Sequence, residues 1–541
     1  MTPSARTAGP RPRVAAAILA LALGAAACGS DGDDNADADA RSETSGPESG
    51  SGSGSSEAPT LTIATSFGID DLDPLANSFW GPEFGYVELL MRPERDGRPT
   101  PWVLESLTNV DETTWELGLR DDVVFDNGTA LDAEALVELI GYMNEHNEGF
   151  AAALDLDAVE VTDDSTLTLT TTAPVPNLAN VFADESNLPV FDVAAYEEFL
   201  ASGDDPAALI DLGLYTGPYT MTSLDDQTAE LVPVDDYWDG PPALSALTIK
   251  FVPEATSRIQ AVQNGEADIA LYVPTDAGTT LEGRDDAFYV TGEPTGTTFS
   301  VQLRNAGPWA ETDVRRALFA AIDYRELATD VMDGRASIAT SVFADSFPYA
   351  VDTQETDLDL AAELLEGAGW TGDGGTRTRD GEPLTLRLLS YPQQPDSNTI
   401  AIAIQAQLAD VGIDVEVSDV PDLTEAREGD DWDAAIVGDS LLSFALSPED
   451  GLRSDLVTGG DQNYMGVSND ELDDLVETLS ATFDEGERNE LLGQIQQVIH
   501  DNGLWAATIM RQPAVVTNAE WRGYETPVAN LWVTASTAPT S

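Results

Sequence analysis

The chain has 541 residues, 42% of them hydrophobic, and carries 24 basic against 98 acidic groups for a formal net charge of −74. Such a length exceeds one small core and implies two or three domains. A surface this acidic repels nucleic acid and anionic lipid head groups, which excludes both as partners.

The first 28 residues carry Arg6, Arg11 and Arg13, then an apolar run from Val14 to Leu23, then small residues up to Cys28. A membrane span needs roughly 20 apolar residues, so the run reads as a secretory signal. Cys28 is the single cysteine, which leaves no internal disulfide and no thiolate metal site. Its position after small residues resembles a bacterial lipobox, with Ala25 where that pattern usually has Leu; this implies an acylated thiol, and a chance cysteine in an ordinary signal is the other reading. Residues 29–58 are Gly, Ser and acid, a composition that buries nothing and predicts a flexible tether. Its alternating acids lack the Gly of a calcium loop, since Ala38 stands there. The signal removes three Arg and no acid, leaving 21 basic against 98 acidic residues, a net −77, with Lys250 the one lysine. Self-repulsion on that scale points to a salty environment, or else to a secreted protein with an acid bias.

Leu61–Ala64 reads as a strand, followed by a Leu72-Asp73-Pro74 turn. Trp115, Leu117 and Leu119 alternate toward Val123 and Phe125, and Asn127-Gly128 supplies hairpin-turn chemistry before a capped amphipathic helix with Leu136, Val137 and Ile140. Residues 159–169 alternate as a strand pair, and 247–273 run strand, helix, strand, a unit that argues for a parallel sheet. Phe299, Val301 and Leu303 alternate at period two, Gly307 and Pro308 break the pattern, and Thr312 or Asp313 caps a helix whose Val314, Leu318, Ala321 and Ile322 share a face. Beyond it, 360–370 and 399–411 read as helices, and 384–389 and 413–417 as strands.

The words inside these elements resemble the family 5 extracellular solute-binding proteins, the peptide-type receptors of ABC importers. They are Leu72-Asp73-Pro74, Trp115 to Arg120, Asn127-Gly128, Gly217-Pro218-Tyr219, Tyr237-Trp238, Asn305 to Asp323, the 360–370 helix and Trp521 to Tyr524, spread in the family's order over residues 59–530. The resemblance implies an α/β, two-lobed periplasmic-binding-protein-like fold of type II with a hinge. Lobe one would comprise 59–92, 213–302 and 513–541, an accessory subdomain 93–212, and lobe two 303–512. It also implies crossing strands near Phe299–Gln302 and Thr508–Arg511, with Phe299, Gln302 and Met510 facing the cleft.

Phe67, Asn77 and Trp80 are cleft residues by the same resemblance; as bare residues they read as packing or turn positions. The second wall is expected in 432–448, where peptide-binding members carry a Trp and then an amine-binding Asp. This chain departs from that pattern: Gly438, Asp439 and Ser440 stand there, followed by Leu441, Leu442 and Phe444. Asp439 is a shifted amine anchor, or else the ligand has no α-amine and is more apolar. Tyr391 completes the set.

His146 and His500 each stand alone among polar helix residues, and the sequence has no HExxH, GxSxG or phosphate-binding loop. The expectation is a non-enzymatic, monomeric receptor outside the cell, held to the membrane by a lipid anchor alone. It takes a peptide or small molecule to ABC permease and ATPase subunits, with no metal and no cofactor. An oligosaccharide stacked on Trp80 and Phe444 is the alternative ligand, and a secreted carboxylate-pair hydrolase the alternative class.

Overall fold

The computed structural model describes residues 58–540 except 78, 95–96, 164, 293–295, 373 and 528. The signal peptide, Cys28 and nearly all of the expected tether lie outside these residues.

Strand Thr298–Leu303 is buried along its whole length and lies at the centre of a six-stranded sheet. The order across that sheet is Ser337–Ile338, Trp505–Met510, Thr298–Leu303, Ala434–Val437, Thr385–Ser390 and Asp414–Asp419. Thr385–Ser390 and Asp414–Asp419 pair in parallel, joined by helix Asp396–Asp410, whose Ile400, Ile404 and Leu408 are buried. Residues 299–302, expected to close lobe one, therefore belong to the second sheet, because both of their ladders run to second-lobe strands. The chain crosses just before them, and the crossings are bonded together: Arg511 N–H to the Thr297 carbonyl at 2.8 Å and Gly292 N–H to the Pro513 carbonyl at 2.9 Å.

The first sheet has seven strands, in the order Phe288–Thr291, Ala514–Thr517, Ile269–Ala270, Thr60–Thr65, Ala246–Phe251, Thr228–Pro233 and Tyr219–Leu224. Ala246–Phe251 and Ile269–Ala270 flank Thr60–Thr65 in parallel, with helix Ala255–Gln263 crossing between them, as the strand-helix-strand pattern predicted. A separate four-stranded antiparallel sheet, Leu104–Asn109, Thr114–Leu119, Thr166–Thr171 and Leu156–Asp163, is covered by helix Ala133–His146. That helix buries Leu136, Leu139, Ile140 and Met143 and is capped by the Asp132 carboxylate on Ala135 N–H.

Two local expectations are corrected. Thr114–Leu119 pairs with Leu104–Asn109 and Thr166–Thr171, while Asn127-Gly128 closes only a tight turn held by the single bridge Val124 to Ala130. Helix Thr312–Ala320 has Glu311 at its cap position with no side-chain cap bond; Thr312 instead accepts from buried Arg315, whose guanidinium also donates to the carbonyls of Trp309, Ala310, Asn502 and Gly503. An arginine fixed from five directions replaces the cap. His146 and His500 both lie in the last turns of helices, where a cation suits the dipole.

Candidate functional site

The lobes touch along a polar seam. Ser66 Oγ donates to the Gln393 carbonyl at 3.1 Å, and Thr275 gives its hydroxyl to the Asp396 carboxylate at 2.6 Å. On the accessory side Asn180 Nδ2 donates to the Ala445 carbonyl at 3.0 Å, Asn177 Nδ2 reaches Asp450 at 3.1 Å, and Ala445 packs into the first-lobe core. Polar contacts at both ends of the seam describe a closed arrangement.

On the second-lobe wall the structure brings together Phe299, Gln302, Tyr391, Gly438, Asp439 and Ser440. A Cβ on Gly438 would meet Gln394 Cδ at 3.1 Å, Phe299 Cε1 at 3.2 Å and Tyr391 Oη at 3.2 Å, so a larger residue in this nest requires these side chains to give by a few tenths of an ångström. The Gly438 N–H donates to Tyr391 Oη at 3.0 Å, and the Asp439 carbonyl accepts from the hydroxyls of Thr298 and Ser300. Half-buried Asp439 gives its carboxylate to its neighbour's N–H, Ser440 N at 2.7 Å; loss of water nonetheless pushes it up to about 6. Buried Asp455, which feels the Asp439 charge, is also pushed up, chiefly by burial. Arg427 stacks 4.2 Å above the Tyr464 ring and donates to Gln302 Oε1 at 2.6 Å, with its Nε buried and unpaired. Arg511, at the second crossing, stacks 4.7 Å over Phe299 and donates to Gln394 Oε1 at 3.0 Å.

The first-lobe wall is aromatic. Phe67 packs on Trp80 at 5.4 Å and edge-on to Tyr272 at 5.0 Å, and Tyr272 meets Trp532 at 6.2 Å. Tyr272 has a left-handed backbone, φ 49°, and its carbonyl accepts from fully buried Arg258 at 2.5 Å. Asn77 stands apart in function, since its amide is committed to Asp71 at 2.6 Å in the turn after Leu72-Asp73-Pro74.

Phe444 is 43% exposed on its loop, whereas Leu441 is fully buried in the second-lobe core and Leu442 nearly so, which removes Leu441 as a source of apolar ligand contact. Met510 faces elsewhere: it lines a cavity of about 760 Å³ between the accessory subdomain and lobe two, with Phe343, Phe347, Tyr349, Asn180 and Arg488. That volume suits a small ligand. Sequence reasoning missed Tyr272, Trp532, Arg427, Gln394, Glu83 and Glu185. Glu83 had a readable signal, an acid inside the otherwise apolar run Trp80–Phe84, all of which is buried.

A family model described as bacterial extracellular solute-binding proteins, family 5 Middle, matches residues 98–453. The chain belongs to that family. Its relatives include the nickel-binding periplasmic protein of Escherichia coli K12, 27% identical over 488 residues, 85% of this chain and 90% of that one. The dipeptide-binding protein DppE of Bacillus subtilis is 25% identical over 458 residues, covering 78% and 81%. In fold it is similar to NikA from Staphylococcus aureus in complex with Ni(L-His)2, with a TM-score of 0.78 at 20% identity, covering 89% of this chain and all of that one. The oligopeptide-binding protein AppA from Bacillus subtilis in complex with a nonapeptide gives 0.74 at 19%, covering 89% and 99%. The two-lobed fold is that of family 5, and this family 5 protein is the extracellular solute-binding receptor of an ABC importer rather than an enzyme. The carboxylate-pair hydrolase is thereby set aside. Among the described residues no helix is long and apolar enough to cross a membrane, and no group of three or more His, Cys, Asp or Glu is arranged to hold a metal.

Proposed function

We propose that this receptor captures a short peptide between its lobes and hands it to the importer's permease, tethered at the membrane through acylated Cys28. What supports a peptide is that charges of both signs converge on one desolvated seam. The Tyr391 hydroxyl feels both Arg511 and Asp439, and the Tyr272 hydroxyl feels Arg511 together with Glu83 and Glu185. A zwitterion meets such a seam with its carboxylate toward Arg511 and its α-ammonium toward Asp439, the charge partners that buried ions require. Removing the Asp439 charge in Asp439→Asn then weakens peptide binding by about 2–5 kcal/mol; unchanged affinity rules that anchor out.

A nickel chelate with amino-acid ligands is the second reading, supported by the nickel-binding relatives and by Arg511 and Arg427, cations suited to a chelate's carboxylates. Thermal unfolding with pooled tri- to pentapeptides against nickel-histidine separates the two, since ligand at 100 times its Kd adds about 2.7 kcal/mol.

A further inference from the structure

Glu83 and Glu185 are both 2% exposed, and neither takes part in an ion pair among the described residues. Each keeps one buried carboxylate oxygen without a hydrogen-bond partner, Oε2 of Glu83 and Oε1 of Glu185. The two carboxyls repel each other, and burial holds both well above the usual range. Two buried carboxyls without a counter-ion, held in the protonated form and each with an unpartnered oxygen, are an expensive arrangement for a fold to keep.

Their surroundings explain what they await. The Asn530 side chain donates to Glu83, and the Trp532 indole N–H lies against both Glu83 and the Tyr272 hydroxyl without settling into a hydrogen bond. Tyr272, which feels both acids, is walled by Phe67 and Trp532, and Phe67 by Trp80. The group sits on the lobe seam: Ser66, beside Phe67, bonds Gln393, and Asp184, beside Glu185, accepts from Ala445 N–H of the second lobe at 3.4 Å. Aromatic faces beside unpaired carboxylates are the chemistry that recognises an organic cation.

We propose that Glu83 and Glu185, walled by Phe67, Trp80, Tyr272 and Trp532, form a subsite for a basic group of the ligand, the Lys or Arg side chain of a short peptide. This rests on the peptide reading and deepens it: Asp439 takes the α-ammonium, and the acid pair selects peptides that carry a second cation. A free polyamine offers the same chemistry without a peptide.

Calorimetric titration of the purified protein with Ala-Lys-Ala, Ala-Met-Ala and spermidine, repeated on the Glu83→Gln/Glu185→Gln double variant and on Glu185→Gln, separates these. The expected result is that Ala-Lys-Ala binds the parent protein at least about 30-fold tighter than Ala-Met-Ala, and that the double variant erases the difference. The unliganded Tm of both variants should be unchanged or higher, because a repelling pair has been relieved. Equal binding of Ala-Lys-Ala and Ala-Met-Ala overturns the subsite while leaving the peptide reading intact. Spermidine binding that the double variant abolishes, with neither peptide bound, supports the subsite and overturns the peptide reading. A parent protein that binds none of the three, or variants that lose Tm yet keep the preference for Ala-Lys-Ala, overturns it.

Discussion

Arg258 is the side chain on which the first-lobe wall depends. It is fully buried, forms no ion pair among the described residues, and donates to four carbonyls: Leu271 at 2.9 Å, Val252 at 2.8 Å, Pro253 at 2.6 Å and Tyr272 at 2.5 Å. Each charged hydrogen bond is worth about 1.5–3 kcal/mol, so four would give roughly 6–12 kcal/mol before the guanidinium's desolvation is subtracted. That desolvation is substantial, since burial lowers the Arg258 guanidinium to about 10. Arg258→Met removes the bonds and the desolvation cost together but leaves buried carbonyls unpaired, for a net loss of about 3–5 kcal/mol. It also releases the left-handed Tyr272, so ligand affinity should fall with stability. Urea unfolding followed by tryptophan fluorescence reads the first quantity and calorimetry the second. A loss below about 1 kcal/mol, with ligand affinity intact, would refute the claim that Arg258 holds Tyr272 and the wall in place.

Buried Glu88 accepts from Tyr237 Oη at 2.6 Å and Trp238 Nε1 at 2.9 Å, and burial raises it to about 7. The folded state thus holds a proton that the unfolded chain loses near 4.3, so this contribution is complete below that pH and is lost as pH rises to about 7, a fall of about 4 kcal/mol. Glu88→Gln should therefore flatten the decline and exceed the parent's stability at pH 8; parallel stability curves for the two would contradict this. Arg488 pairs with Glu449, which is 1% exposed, so Arg488→Met should cost about 3–5 kcal/mol by stranding that carboxylate, and adding Glu449→Gln should restore most of it in urea titrations. Gly438→Ala should cost about 1–3 kcal/mol and weaken ligand binding, because the new methyl enters the space of Phe299, Tyr391 and Gln394; a neutral substitution would mean the nest can widen. With the net charge at −74, raising salt from 0.1 to 1 M shortens the screening length from about 10 to 3 Å and should raise Tm; a Tm that rises on dilution defeats the salty-environment reading.

Much of the fold was legible because its elements are repeated local patterns. Leu61 and Ile63 alternate into a core, Asp132 caps a helix with one apolar face, and the strand-helix-strand unit at 247–273 admits few topologies. The crossover point was misplaced because Phe299–Leu303 is buried on both faces although polar Ser300 and Gln302 alternate with its apolar residues, and the pattern of one strand does not show which sheet it joins. In the site, Phe299, Tyr391 and Gly438 lie side by side although they are far apart along the chain. Tyr272 and Trp532 escaped notice because 260 residues separate them along the chain and only the returning C-terminal segment brings them together. The acid pair was hidden differently: among 98 acids, Glu83 is marked only by the apolar run around it and Glu185 by nothing local.

Calorimetric titration with a pool of short peptides, run beside nickel-histidine, tests the central claim most directly. Saturable peptide binding to one site, abolished in Arg511→Gln and weakened in Asp439→Asn, is the predicted result. Saturation by the nickel chelate with no heat from any peptide would contradict it.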